Sequence, residues 1–321
     1  MSVPAGAVPP TLLVLTGPTG SGKSELALQL AATLTPRLPV EIISVDSVLI
    51  YRGMDIGSAK PGAAARAQVA HHLIDIRDPA QSYSAGEFVR DARAAISAIL
   101  QRGRYPLLVG GSMLYLRALY QGLATLPPAS EALRRELDAQ AAACGWPALH
   151  AQLEQVDAAA AARIARNDAQ RIQRALEVHR LTGVPISHWQ AHTRGAGEEF
   201  RWLRYALLPP AGSDWNRRLA ARFDVMLRSG LLEEVRALHA RGDLSEQHSS
   251  VRAVGYRQLW RYCNGECSLD EAVRQAIIAT RQLGKRQLTW LRREPGITLL
   301  PAHTVGLAAI VANRIHSALD A

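Results

Sequence analysis

Apolar residues recur in three short runs in the first part of the chain, and a glycine-rich or polar turn follows each run. The runs are Leu12–Leu15, Val40–Val45 and Leu107–Val109. Apolar positions then continue at helical spacing, and this alternation is typical of an α/β fold with helices flanking a parallel sheet. Ligands of such sheets bind beyond the carboxyl ends of the strands, so we expect the residues after the three runs to meet at one site.

A helical segment without a strand candidate interrupts this alternation. It is rich in alanine, arginine and glutamate, and strands are predicted again at Arg201–Leu208 and at Ile297–Leu300. We therefore predict an inserted all-helical domain within a core domain. The predicted bounds are residues 127–195 for the insertion and residues 11–126 with 196–321 for the core.

The end of the chain predicts two helices. Ser268 and Glu271 match a capping box that opens a helix reaching about Arg293, and Val305–Leu319 has the pattern of a closing amphipathic helix. Four basic residues of the first helix share one face, because their spacings are seven, four and seven residues. We call this set the basic ridge: Arg274, Arg281, Lys285 and Arg292. A basic ridge suits a nucleic-acid backbone, although a solvated helix face would show the same pattern.

The charge of the chain strengthens the case for a polyanionic partner. The 321 residues carry a formal net charge of +9, of which +7 falls in residues 201–321. A solvated basic surface is the alternative. No run of about eighteen apolar residues predicts a membrane helix, and Met1–Pro10 does not resemble a signal peptide. Three cysteines form no framework, which favours a reducing cytoplasm.

The first strand leads into a phosphate-binding loop. Residues Gly17, Pro18, Thr19, Gly20, Ser21, Gly22, Lys23 and Ser24 match the P-loop pattern between a strand and a helix predicted at Glu25–Ala32. In such a loop, backbone N–H groups surround a phosphate, the lysine adds a point charge, and the hydroxyl of the last residue can ligate Mg²⁺. Lys23 is one of three lysines among 37 basic residues, which supports a specific role. The motif indicates a diphosphate or triphosphate, and does not by itself indicate a nucleotide.

Polar residues also follow the other two runs. Asp46 ends the second run, where a carboxylate could ligate Mg²⁺, act as a general base or cap a helix. Ser112 follows Gly110 and Gly111 after the third run, at a position where NTPases usually carry a Mg²⁺-binding aspartate. The two glycines would allow a substrate to approach the backbone closely.

Seven stretches from the P-loop to about Arg292 form a distinctive set. They are Gly17–Ser24, Asp46–Gly57, His71–Asp75, Gly110–Tyr115, Asn167–Glu177, Val254–Arg257 and Ala279–Trp290. In these stretches the chain resembles the bacterial tRNA dimethylallyltransferases. The P-loop alone is generic, and the stretches around Asp46–Tyr51 and Lys285–Trp290 make the resemblance specific. This sequence departs little from the usual motifs of the family: Gly20 stands where alanine is usual, and Ser112 stands where threonine is usual.

The resemblance implies a P-loop kinase-like core that binds dimethylallyl diphosphate where a kinase binds ATP. It implies transfer of the dimethylallyl group to N6 of adenosine 37 in tRNAs that read codons beginning with U, with Mg²⁺ as cofactor at Ser24. The implied catalytic residues are Asp46 as proton acceptor, Ser112 for orientation and Arg218 for the diphosphate. The insertion would grip the anticodon stem-loop of tRNA, and we expect a monomer.

Together with the basic ridge, the resemblance gives a set of predicted tRNA-binding residues. They are Asp46, Ser47, Val48, Leu49, Ser112, Arg134, Gln170, Arg171, Ile172, Gln173, Arg174, Arg252, Arg257, Arg281, Lys285, Arg286 and Arg292. Two other functions fit parts of the sequence. A small-molecule kinase or NTPase would explain Lys23 and Asp46, but neither the basic last third nor the helical insertion. An RNA-binding module with a P-loop switch would explain the charge without chemistry on a base.

Overall fold

The computed structural model describes residues 9–124, 126–192, 199–210 and 212–320. The chain divides into two compact units, the first formed by Met1–Arg117 with Glu199–Ala321 and the second by Ala118–Glu198. The predicted end of the insertion at residue 195 and most of the predicted lead-in Met1–Pro10 lie outside the described residues. None of the helices in the described ranges has the length and apolar character needed to cross a membrane.

A six-stranded sheet organises the first unit, and all of its strand pairs are parallel. The strand order is β3-β2-β4-β1-β5-β6. The strands are β1 (Thr11–Thr16), β2 (Val40–Val45), β3 (His71–His72), β4 (Tyr105–Gly110), β5 (Arg201–Leu208) and β6 (Thr298–Pro301). This arrangement confirms the predicted α/β class, and the predicted strands lie where the sequence places them, the last shifted by one residue.

The helices of the described residues are divided between the two units. The first unit contains α1 (Lys23–Leu34), α2 (Ala63–Gln68), α3 (Ala85–Gln101), α10 (Ser213–Arg228), α11 (Leu231–Ala240), α12 (Tyr256–Cys263), α13 (Leu269–Leu291) and α14 (Leu307–Leu319). Helix α4 (Met113–Gln121) contains the boundary between the units. The second unit contains α5 (Glu131–Cys144), α6 (Trp146–Val156), α7 (Ala158–Ala161), α8 (Ala169–Thr182) and α9 (Ile186–Ala191), and its described residues include no strand.

The apolar runs are continuous because the central strands are buried on both faces. Every residue of β1 and β2 is buried, as expected for a parallel sheet covered by helices. One face packs against α1 and α14 through residues such as Leu30, Leu34 and Val311. Because β1 is fully buried and is paired with β4 on one side and with β5 on the other, the loop after Thr16 starts from a fixed position.

The short strand β3 is missing from the sequence prediction. Only His71 and His72 pair with β2, and two residues are too few to show a periodicity. The His72 imidazole lies 2.6 Å from a carboxylate oxygen of Glu41, and His71 Nδ1 lies 2.8 Å from the Val69 carbonyl. Both contacts fix the edge of the sheet.

A buried carboxylate organises the second unit. Glu177 has no exposed surface, and it accepts hydrogen bonds from Arg134 at 3.0 Å, from Arg174 at 2.7 Å and from the Ser130 backbone at 2.8 Å. Burial raises the pKa of Glu177, but these donors outweigh that effect and hold the pKa below its usual value. The ionised form therefore stabilises the fold of this unit.

We expect Glu177→Gln to destabilise the protein by about 2 kcal/mol, because it removes charge-assisted bonds from a buried site. Since the folded pKa is depressed, this stabilisation is present above the ordinary carboxyl pKa near 4.5 and is lost as pH falls through the folded value. The melting temperature should therefore fall less steeply in the variant than in the wild type as the pH is lowered below about 4.5. The control is Glu136→Gln, because Glu136 pairs with Arg180 at an exposed position. An equal effect of both substitutions would contradict this account.

Candidate functional site

A cavity of about 600 Å³ lies at the carboxyl ends of β1, β2 and β4, where the sequence predicts a site. The three strands end in register, since Gly110 pairs with both Thr16 and Val45. The loops after them are therefore brought side by side. The cavity is lined by P-loop residues, by Asp46, by Gly110 and Gly111, and by residues of α10 and α13.

The P-loop joins β1 to α1 with the geometry of an anion cradle. Gly22 precedes α1 with a φ of 90°, a left-handed conformation that favours glycine, and no side chain caps the helix. The first N–H groups of α1 are thus left for a ligand, and the helix dipole favours a negative one. At Gly17, a Cβ atom would lie 2.8 Å from the Leu207 carbonyl oxygen, so only glycine fits between β1 and β5.

Lys23 is the cation of this cradle. Its ammonium donates a hydrogen bond to the Pro18 carbonyl at 2.9 Å, and the side chain lines the cavity. Burial lowers the pKa of Lys23 to about 8, while the nearby Asp46 carboxylate acts in the opposite direction. Ser24 follows at an exposed position that also lines the cavity, as the motif predicts.

Asp46 stands directly after β2 and faces the same cavity as Lys23. Its Oδ1 atom accepts hydrogen bonds from the backbone of Val48 at 2.8 Å and of Leu49 at 3.4 Å. Burial raises the pKa of Asp46, although these bonds and the nearby Lys23 and Arg222 act to lower it. The carboxyl thus has two properties at once: it holds the following turn, and it is poised to take a proton.

The arginine of the cavity is Arg222, a residue that the sequence analysis missed. Arg222 lines the cavity, and burial lowers its pKa while the Asp46 charge raises it. Arg218, which the resemblance implies as the diphosphate ligand, lies one turn earlier on α10 with an exposed side chain and is not among the described lining residues. Because residues four apart lie on the same helix face, the sequence could not separate the two.

Two glycines bring the end of β4 close to Asp46. A Cβ atom on Gly110 would lie 2.0 Å from the Val45 carbonyl oxygen, which excludes any side chain. The same carbonyl accepts a hydrogen bond from the Ser112 backbone at 3.2 Å. Ser112 is therefore held beside the residue that precedes Asp46, and it is partly exposed.

Beyond the P-loop, many of the lining residues are apolar, with Ser44, Ser58 and His71 among them. We call the apolar ones the apolar wall: Ile42, Val48, Leu49, Ala59, Pro61, Ala65 and Ile74. Glu234, which the sequence analysis also missed, holds the loop that contributes Gly57 to the cavity. Its carboxylate accepts hydrogen bonds from the backbones of Asp55 and Ile56, both at 2.8 Å, and from the Tyr256 hydroxyl at 2.6 Å. The cavity thus combines an anion cradle with an apolar wall, which suits a ligand with a charged end and a hydrocarbon end.

The basic ridge of α13 is largely accessible. Arg274, Lys285 and Arg292 are exposed, and Arg274 forms an ion pair with Glu271. Arg281 is partly buried, and its Nε atom has no hydrogen-bond partner among the described residues. The buried residues of α13 lie away from the ridge: Ala272, Ala276, Gly284 and Leu291. Ser268 caps α13 by accepting from the Glu271 backbone at 3.2 Å.

The remaining predicted tRNA-binding residues have different environments. Ser47, Arg252, Arg257 and Arg286 are exposed in the first unit, as are Gln170 and Arg171 in the second. Arg134 and Arg174 share the buried Glu177, and Gln173 donates to Asp138 at 2.7 Å. Ile172 is a correction: its side chain has no exposed surface and belongs to the core of the second unit, so it cannot offer a contact to RNA.

Proteins of similar sequence and fold carry related descriptions. The profile of a family described as IPP transferase matches residues 49–294. A protein from Bordetella pertussis (strain Tohama I) named tRNA dimethylallyltransferase is 57% identical over 289 residues, which cover 89% of this chain and 91% of that protein. The crystal structure of the full-length tRNA isopentenylpyrophosphate transferase of Bacillus halodurans has a TM-score of 0.70 at 35% identity and covers 97% of both chains.

A further solved structure is similar in fold. It is a eukaryotic dimethylallyltransferase described as acting on tRNA, with a TM-score of 0.78 over 96% of this chain and 80% of that chain. Its sequence identity is 24%, so the likeness concerns the fold alone.

Proposed function

The chain belongs to the IPP transferase family, and from this premise we propose that it transfers a dimethylallyl group from dimethylallyl diphosphate to N6 of adenosine 37 in tRNA. The observation that carries the proposal is the pairing, in one cavity, of the P-loop cradle with Asp46 and an apolar wall. The cradle suits the diphosphate, the wall suits the five-carbon group, and the carboxylate suits the incoming amine.

The leaving group determines what the cradle must do. The adenine amine is a weak nucleophile, so the allylic carbon must develop positive charge as its bond to the diphosphate oxygen breaks. Lys23, Arg222 and the N–H groups at the start of α1 would stabilise the negative charge that collects on the diphosphate. These donors are fixed before the reaction, which is why they lower its barrier.

A Mg²⁺ ion fits the chemistry of the residues beside the cradle. The exposed Ser24 hydroxyl lines the cavity at the first turn of α1, and Mg²⁺ commonly takes one or two protein oxygens together with phosphate oxygens. We propose Ser24 as its protein ligand. When bound, the ion supplies further charge neutralisation on the diphosphate.

Asp46 would receive the proton of the amine. A base must lie in the cavity and keep an oxygen that can accept the proton. The described hydrogen bonds to Asp46 all end on Oδ1, so Oδ2 can take this role. The buried environment raises the affinity of the carboxylate for a proton. Ser112, beside the end of β2, would orient the amine. The adenine must leave its stack to reach this position.

The proposed partners are tRNA and dimethylallyl diphosphate, with the chain acting as a cytoplasmic monomer. The basic ridge and the exposed arginines would bind the RNA backbone, and the second unit would bind the anticodon stem-loop.

The test is to offer dimethylallyl diphosphate and Mg²⁺ with a tRNA that reads a codon beginning with U, and with the same tRNA carrying guanosine at position 37. The proposal expects prenylated adenosine from the first tRNA only. Equal modification of both would overturn the proposed position.

We expect replacement of Arg281 and Lys285 by alanine to weaken tRNA binding and to reduce its salt dependence. The magnitude of the negative slope of log affinity against log salt should decrease by about 1.5, because each phosphate contact contributes about 0.7–0.9 to it. The control is Arg37→Ala, since Arg37 lies before β2, at the amino edge of the sheet away from the cavity. The slopes are measured by binding titrations at several salt concentrations. A slope unchanged from the wild type would contradict a role for the ridge.

A further inference from the structure

Both backbone groups of Thr19, at the tip of the P-loop, are held by side chains from the C-terminal part of the chain. The Thr19 N–H donates to Gln287 Oε1 of α13 at 2.9 Å. The indole Nε1 of Trp215, on α10, donates to the Thr19 carbonyl at 3.2 Å. These partners are separated from Thr19 by 268 and 196 residues, so the fold as a whole sets the position of the loop tip.

Gln287 makes a second bond that joins two loops of the site. Its Nε2 atom donates to the Gly111 carbonyl at 2.9 Å, so the amide bridges the P-loop and the end of β4. A Cβ atom on Gly111 would lie 2.6 Å from this nitrogen, and glycine leaves the room that the amide needs. With the amide oxygen accepting at one end and the nitrogen donating at the other, the orientation of Gln287 is defined.

A third glycine allows the two helices to reach the loop together. A Cβ atom on Gly284 of α13 would lie 2.6 Å from two carbon atoms of the Trp215 ring. Trp215 is buried at this contact, so its position depends on α13 as well as on α10. We call the contacts of Trp215 and Gln287 with Thr19 the apex latch.

We infer that the apex latch fixes the P-loop in its diphosphate-binding conformation, and that Gln287 and Trp215 are positioning residues for the donor. The inference rests on the proposed function. A glycine-rich loop loses much conformational freedom when it is ordered, and a ligand that must order the loop binds more weakly. The latch orders the loop before the ligand arrives. Because α13 also carries the basic ridge, the helix proposed to bind tRNA is the one that holds the donor loop.

The inference is tested by calorimetric titration of the full chain with inorganic diphosphate in the presence of Mg²⁺. The variant Gln287→Met keeps the length of the side chain and removes both hydrogen bonds. We expect its Kd for diphosphate to rise by about tenfold or more, a loss in keeping with two hydrogen bonds. Gln282→Met is the matched control on the exposed side of α13, and its Kd should match that of the wild type.

A second variant and a kinetic readout separate positioning from folding. Trp215→Phe keeps an aromatic ring but removes the N–H donor to Thr19 and part of the ring that packs against Gly284, and it carries the test if Gln287→Met does not fold. In both variants KM for dimethylallyl diphosphate should rise while KM for tRNA stays near the wild-type value, which a general loss of structure would not produce. Wild-type affinity for diphosphate in a folded latch variant would overturn the latch alone. No diphosphate binding by the wild-type chain would overturn the proposed function and the latch with it.

Discussion

Asp46→Asn is expected to lower kcat for prenyl transfer by about 10²–10⁴-fold, the range typical of a lost general base. The substitution keeps an oxygen that can accept the backbone hydrogen bonds of Val48 and Leu49, so the turn after β2 should persist. The affinity for tRNA should therefore stay close to that of the wild type. Single-turnover measurements with saturating donor and tRNA report the loss directly.

The comparison with Asp46→Ala separates the two roles of the carboxylate. Alanine removes both the base and the acceptor for the turn, whereas asparagine removes the base alone. If Asp46 is the base, both variants lose turnover to a similar extent. If Asp46 only holds the turn, asparagine keeps turnover near the wild-type level and alanine does not, which would remove the assignment as base.

Arg222→Ala is expected to lower kcat/KM for the donor by about 10²-fold or more, whereas Arg218→Ala should change it by less than about fivefold. The reason is position: Arg222 lines the cavity with Lys23 and Asp46, while Arg218 is exposed one turn away. Loss of a preorganised cation at a developing negative charge costs catalysis of this order. Steady-state kinetics with varied donor concentration check both values.

The two arginines form a matched pair on one helix, so each variant serves as the control of the other. A larger loss from Arg218→Ala than from Arg222→Ala would show that the implied assignment of Arg218 was correct and would contradict the role given to Arg222.

Local sequence patterns were sufficient to predict those parts of the site that directly follow a strand. The P-loop, Asp46 and Ser112 each follow a predicted strand, and because parallel strands end at one edge of the sheet, the sequence also predicts that they meet. The structure brings the P-loop, Asp46 and Gly110–Gly111 to one cavity, as the register of Gly110 with Thr16 and Val45 requires, whereas Ser112 is not among the residues described as lining it.

Contacts between distant segments could not be predicted in the same way. Glu234 binds a loop 179 residues earlier, and Gln287 binds a loop 268 residues earlier, and neither pairing leaves a periodic signal. Ile172 was included with its polar neighbours because the motif is continuous in sequence, but one face of a helix must pack, and Ile172 lies on that face. Gly284 shows no positive φ, and only the nearby Trp215 ring explains it.

We propose that the P-loop cradle holds a prenyl diphosphate and that the cleaved group is transferred to RNA. The most direct measurement follows diphosphate release and nucleoside mass in one reaction that contains the full chain, unmodified tRNA, Mg²⁺, dimethylallyl diphosphate and ATP. The account predicts one diphosphate released for each prenylated adenosine formed, with ATP left intact. Consumption of ATP with no change in the mass of the tRNA nucleosides would contradict it.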